Sequence, residues 1–109
     1  VAAFKAEYRR SPSPYAAVAY DTARLIAAAL DKTGGQAADR AALHAALVSA
    51  RFESVRGPFR FGANQFPVQN YYLTQVVRRA DGEAGLDLRG DIFQAHADSY
   101  GDACKMRPF

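Results

Sequence analysis

Catalysis by a side chain needs a nucleophile, a proton acceptor and an orienting group within hydrogen-bond reach of one another. Few residues of this sequence qualify. His96 and Asp98 stand two apart and can make half of a base–carboxylate pair, but no nucleophile is tied to them by a recognisable spacing, and a surface role fits them equally well. Cys104 is the one cysteine. It has no Cys-His partner motif and cannot close an internal disulfide, which leaves a structural thiol or a bond to another segment. His44 falls on the polar side of a short helical pattern and reads as a solvated residue. There is no Cys-x-x-Cys, no His-x-x-x-His and no Gly-x-Gly continuation after Gly34-Gly35, so metal, phosphate-loop and dinucleotide chemistry have no fingerprint.

Aromatic side chains are the larger chemical resource, with 6 Tyr and 7 Phe in 109 residues. Phe59, Phe61, Phe66, Tyr71 and Tyr72 fall in strand-like stretches and their connection, where most should be core. Tyr15 differs because it opens a helix, where a large amphipathic ring has a hydroxyl and one face available beside free backbone amides. Such positions line ligand crevices in open α/β sheets. An equally weighted alternative is a hydrophobic staple, with Tyr15 packing onto Phe4 or Tyr8.

The elements that position these residues divide the chain in two. Seventeen alanines fall in residues 1–50 and six in residues 51–109, so helices are expected first and strands second. Phe4 and Tyr8 share a face of a short amphipathic opening helix, which lacks the basic head and apolar centre of a secretory signal and does not start with Met, as at an internal or processed start. The Ser11-Pro12-Ser13-Pro14 run breaks that helix. Ser13 as N-cap and Pro14 at the first helical position start a second one over 14–32, and Gly34 or Gly35 stops it. Its spacing predicts a buried face of Tyr15, Ala19, Thr22, Ile26 and Leu30, widened by Val18, Leu25 and Ala29. Asp39 caps a third helix to about Ala50, packed antiparallel to the second. Beyond Arg51, Phe59 and Phe61 mark one strand, residues 62–69 a loop and residues 70–77 a second strand. Asp81-Gly82 is a turn, and the irregular tail from 84 contains a short strand at 91–94 and a helical turn near Tyr100.

The expected class is α/β, with a helix pair followed by two or three strands. These are too few elements for a closed core, so the chain is expected to be part of a larger domain. With 14 Lys and Arg against 11 Asp and Glu, interspersed in sign, the net charge of +3 makes a weak case for nucleic acid. The most apolar stretch, Leu25 to Leu30, is far short of the roughly 20 residues needed to cross a bilayer.

Several motifs in order carry a resemblance. They are Phe4-x-x-x-Tyr8, Pro14-Tyr15-Ala16-Ala17-x-Ala19-Tyr20-Asp21, Leu25-x-x-Ala28-x-Leu30, Gly34-Gly35, Leu43-x-x-Ala46-Leu47 and Phe52-x-x-Val55-x-Gly57-Pro58-Phe59-x-Phe61. Together they resemble the carboxyl-terminal third of type I periplasmic solute-binding proteins, the receptors of ABC importers for branched-chain amino acids and related compounds. The stretch from Gly62 to Leu73 and the tail Asp98-Ser99-Tyr100-x-x-x-Cys104-Lys105-Met106 resemble the branch associated with aromatic acids.

The resemblance implies a partial two-lobed, hinge-closing α/β fold. Residues 1–61 would be a portion of the first lobe, and residues 62–109 the last hinge crossover, a second-lobe strand and the carboxyl-terminal tail. It also implies a periplasmic location, a membrane permease as partner of the complete receptor, and a small-molecule ligand that is an amino acid or an aromatic acid. No chemistry is performed and no cofactor or metal is implied. Tyr15 matches the family's aromatic ligand contact and Ala16 lies beside it. The other groups that hold the ligand come from earlier parts of the family sequence, so this segment alone should not bind tightly. Two other classes compete. One is a stand-alone interaction or regulatory protein that dimerises through its helix pair, and the other is an enzyme using His96, Asp98 and Cys104. Exposed helix faces and strand edges would favour homo-oligomers in either non-catalytic case.

Overall fold

The computed structural model of the chain describes residues 1–105. Met106, which closes the tail motif, lies outside the described residues. Three helices, α1 (Ala2–Tyr8), α2 (Pro14–Lys32) and α3 (Arg40–Ser49), precede three strands, β1 (Phe59–Phe61), β2 (Pro67–Arg78) and β3 (Ala84–His96). A 3-10 turn at Gly101–Ala103 follows, next to Tyr100 as expected. The sheet is antiparallel in the order β1-β2-β3.

The helix boundaries follow from local chemistry. Ser13 Oγ accepts the Ala16 amide at 3.3 Å and Pro14 takes the first position of α2. Asp39 Oδ1 accepts the Ala42 amide at 3.0 Å to start α3. Gly34 and Gly35 both have positive φ, and the Gly35 amide reaches back to the Leu30 carbonyl at 2.8 Å, which ends α2. The packing of the pair differs from the antiparallel expectation. Lys32 Nζ donates to Ser49 O at 2.8 Å and to Ser49 Oγ at 3.2 Å, so the carboxyl ends of α2 and α3 lie together. The Lys32 ammonium thereby satisfies a terminal carbonyl of α3.

The buried face of α2 also differs. Tyr15, Ala19, Thr22 and Ile26 are exposed, whereas Ala17, Leu25 and Ala28 are half-buried and Asp21 and Ala29 are buried. In an alanine-rich helix the apolar direction is weakly defined, and the inward line is set instead by the polar partners that Asp21 finds. The buried apolar residues of the described chain are Ala29, Ala46, Ala50 and Val68, all small. The radius of gyration is 17.1 Å, against about 13 Å for a compact chain of this length. The molecule is a slab of 51 × 34 × 15 Å, an extent that fits part of a larger fold.

The sheet is longer than its sequence pattern suggests. β2 begins at Pro67, because the five residues after Phe61 form a tight turn that pairs Phe61 with Pro67. β3 runs from Ala84 to His96 rather than over a short piece at 91–94. Register shifts at Gln69/Tyr71, Tyr71/Tyr72 and Leu73/Thr74 each leave an additional residue on β3, and every shift moves the following side chains to the other face. Period-two alternation is therefore erased from the sequence. The turn at Asp81-Gly82 is present, with Gly82 at φ 83 and its amide bonded to Arg79 O at 2.9 Å.

Gly57 shows where backbone freedom is required. It has φ 97, and a Cβ there would stand 2.5 Å from the Tyr72 hydroxyl, whereas Gly34, at φ 59, faces open space. Gly34→Ala is expected to cost about 1 kcal/mol from the left-handed conformation alone. Gly57→Ala should cost about 2 kcal/mol or more, because Tyr72 must also move. Urea unfolding followed by circular dichroism compares the two; equal midpoints would contradict this account.

Candidate functional site

The first turn of α2 carries both residues singled out for binding. Tyr15 is 85% exposed and Ala16 half-buried. The staple alternative is not realised: Phe4 and Tyr8 pack on each other within α1 at 4.6 Å between ring centroids and leave Tyr15 uncovered. The Ala16 amide is held by Ser13, through both its carbonyl and its hydroxyl, so Ala16 presents a methyl group and close backbone rather than a free donor.

Two turns further along, α2 is tied down by a residue that periodicity does not flag. Asp21 is 2% exposed. Its Oδ2 accepts Ser54 Oγ at 2.6 Å and Arg56 Nε at 2.8 Å, and its Oδ1 accepts the Val55 amide at 3.0 Å. Arg56 continues outward, donating from Nη1 to Gln69 Oε1 on β2 at 3.0 Å. The Tyr72 hydroxyl donates to Arg56 O at 2.7 Å. Removal from water pushes the Asp21 carboxyl up, but the bonds from Ser54, Arg56 and the Val55 amide, with the charge of Arg56, outweigh it and hold the pKa below the ordinary carboxylate value. The signal available in the sequence was an acid four residues from both Ala17 and Leu25 on an otherwise small and apolar line.

A second polar stitch closes the base of the sheet. Buried Asn64 donates from Nδ2 to Asp98 Oδ2 at 2.7 Å and accepts the Phe66 amide at 3.2 Å. Asp98 Oδ1 accepts the Tyr100 amide at 3.0 Å. His96 is not paired with Asp98 but packs between Phe93, stacked at 4.9 Å, and Tyr71, edge-on at 5.6 Å. Phe66, Tyr71, His96 and Tyr100 border an open cleft of about 260 Å³ there. Cys104 is exposed and free, and His44 is half-buried on α3 rather than solvated. Among the described residues, no three or more His, Cys, Asp or Glu gather as a metal site, and no helix is long and apolar enough to cross a membrane.

A family model described as a periplasmic binding protein matches residues 1–83. The chain belongs to the periplasmic binding protein family. A solved structure, the solute-binding protein of an ABC transporter from R. palustris in complex with benzoate, is similar over 97% of this chain, with a TM-score of 0.81 and 35% sequence identity. The chain spans 28% of the length of that structure. No curated protein matches. The likeness bears out the type I resemblance and the partial α/β fold. Members of the periplasmic binding protein family are substrate-binding receptors and not enzymes. The side chains weighed for acid–base work have other employment here, Asp98 in a turn and His96 in a ring cluster.

A depressed carboxyl pKa gives a pH dependence of known sign. The stability contributed by Asp21 is fully present above its unfolded pKa, about 4, and is lost as pH falls through the lower folded value. Asp21→Asn is expected to be less stable by roughly 2 kcal/mol at neutral pH and to lose most of that acid dependence. Denaturation curves at a series of pH values report both; an unchanged acid limb in the variant would show that other carboxylates control it.

Proposed function

We propose that this chain is the carboxyl-terminal segment of the substrate-binding component of an ABC importer, a receptor that captures an aromatic carboxylate for uptake. The likeness to a benzoate-bound solute-binding protein at 35% identity carries the reading, and it favours an aromatic acid over a branched-chain amino acid. Tyr15 is the ligand contact, its ring packing on the apolar body of the ligand, with Ala16 beside it. The exposure of that ring at a capped helix start supports this role.

Residues 1–61 form a portion of the first lobe. Residues 62–109 form the last hinge crossover, a second-lobe strand and the tail. The β2–β3 hairpin, long and largely exposed, supports such a division. The complete receptor works in the periplasm and delivers its ligand to a membrane permease. Closing of two lobes around the ligand supplies affinity and selectivity without chemistry.

Calorimetry with benzoate and with leucine, on a two-lobed receptor carrying this segment, tests the ligand class. Benzoate is expected to bind, and Tyr15→Ala to weaken it by about 1 to 3 kcal/mol. Leucine binding without benzoate binding would reverse the class, and unchanged affinity in the variant would remove Tyr15 from the site.

A second reading is favoured by exposed apolar side chains. Tyr15, Val18 and Ile26 on α2, and Val76, Leu86 and Leu88 on the hairpin, all face solvent. Val76 pairs with Leu86 and Leu88 with Thr74, so three of these share one face of the hairpin. The isolated chain then self-associates, as an interaction protein would. Sedimentation at rising concentration should show homo-oligomers, and Val76→Glu should shift them toward monomer; a concentration-independent monomer would end this reading.

A further inference from the structure

We propose that Asp21, Arg56 and Gln69 form a positioning relay that fixes the amino-terminal end of α2, and with it the ring of Tyr15, to strand β2. The functional part of this inference rests on the assignment of Tyr15 to the ligand.

The mechanical argument starts from the helix. At its carboxyl end α2 packs against α3, where Ala29 and Ala46 are buried, and is bonded to it from Lys32 to Ser49. Toward its amino end, Tyr15, Val18, Ala19 and Tyr20 are exposed, and only Ala16 and Ala17 are half-buried. A helical rod attached at one end can pivot. Asp21 supplies a second attachment about 16 Å along the axis from Lys32, one and a half to two turns from Tyr15.

The attachment is directional. Arg56 uses two different nitrogens of one planar group, Nε for Asp21 on the helix and Nη1 for Gln69 on the strand. A guanidinium held at both edges transmits the position of one partner to the other, which a single point charge does not. The backbone beside it is fixed as well, because Tyr72 of β2 donates to Arg56 O and Ser54 Oγ accepts the Arg56 amide at 3.0 Å. Replacing a buried ion pair by apolar groups is often neutral or stabilising, and in some proteins what the pair adds is fixed geometry. In this chain, that geometry joins the helix bearing Tyr15 to the sheet.

Gln69 separates positioning from mere structural support. Removing its side chain leaves Asp21 bonded to Ser54, Val55 and Arg56 and Tyr72 bonded to Arg56 O, and it cuts the guanidinium's link to β2 together with the 3.4 Å bond from Gln69 Nε2 to the Tyr71 hydroxyl. The test uses the full 109-residue chain with Cys104→Ser and nitroxide labels at Tyr15→Cys and Val76→Cys, both exposed positions in the parent chain. Pulsed electron paramagnetic resonance reads the distance distribution. One narrow peak is expected with the relay intact, its broadening in Gln69→Ala and in Arg56→Gln, where Tyr72 alone still ties Arg56 or its replacement to β2, and its narrowing again in Gln69→Glu, which restores an acceptor. Circular dichroism confirms that helix content is kept. A narrow, unshifted peak in Gln69→Ala and Arg56→Gln would overturn the proposal. If Arg56→Gln fails to fold, the Gln69→Ala and Gln69→Glu pair decides. No ligand enters the measurement, so its result stands apart from whether Tyr15 contacts benzoate.

Discussion

A carboxylate excluded from water is tolerable only where donors replace the water it has lost, and in this chain that demand falls on Asp21. Its requirement organises what surrounds it. The segment after α3 must bring a hydroxyl, an amide and a guanidinium to one spot, and Ser54, Val55 and Arg56 do so in sequence. The chain then has to turn away beneath Tyr72, which requires a residue without Cβ and with positive φ, and Gly57 meets both conditions. The course from α2 to β2 follows from one buried charge.

Polar bonding matters this much because the apolar core is slight. Three alanines and Val68 are the buried apolar residues of the described chain, whereas large side chains such as Ile26, Val76 and Leu88 face solvent. Membership of the periplasmic binding protein family gives that imbalance a physical meaning. A chain spanning 28% of a solute-binding protein presents surfaces that belong inside a larger fold, and its extended dimensions agree. The Asn64 to Asp98 bond and the bond from the Ala95 amide to Asn70 Oδ1 at 2.9 Å play a similar part at the other end, tying the tail and the bulged end of β3 to the base of the hairpin.

Much of the local structure was legible in the residues. Ser13-Pro14, Asp39, Gly34-Gly35 and Asp81-Gly82 act within a few positions of themselves, so their caps and turns appear where their chemistry predicts. The residues mark β3 as strand only at 91–94 because bulges reverse the facing of side chains, and because neither face of the hairpin is buried enough to impose alternation. The inward face of α2 departs from the apolar spacing for a related reason. Alanine contributes little to an apolar direction, and the residue that chooses the face is charged.

Where helices begin and end, that the later half is strand, and which family the order of motifs belongs to are all written in the residues, since these depend on contacts between near neighbours or on a pattern spread along the whole chain. Which side of α2 turns inward, the meeting of the carboxyl ends of α2 and α3, and the separate neighbours of His96 and Asp98 emerge once the chain is folded. Each of these depends on partners more than twelve residues away or on the choice between neighbours that sequence leaves equal. Asp21 and Arg56 lie 35 positions apart, and nothing local to either reveals the other.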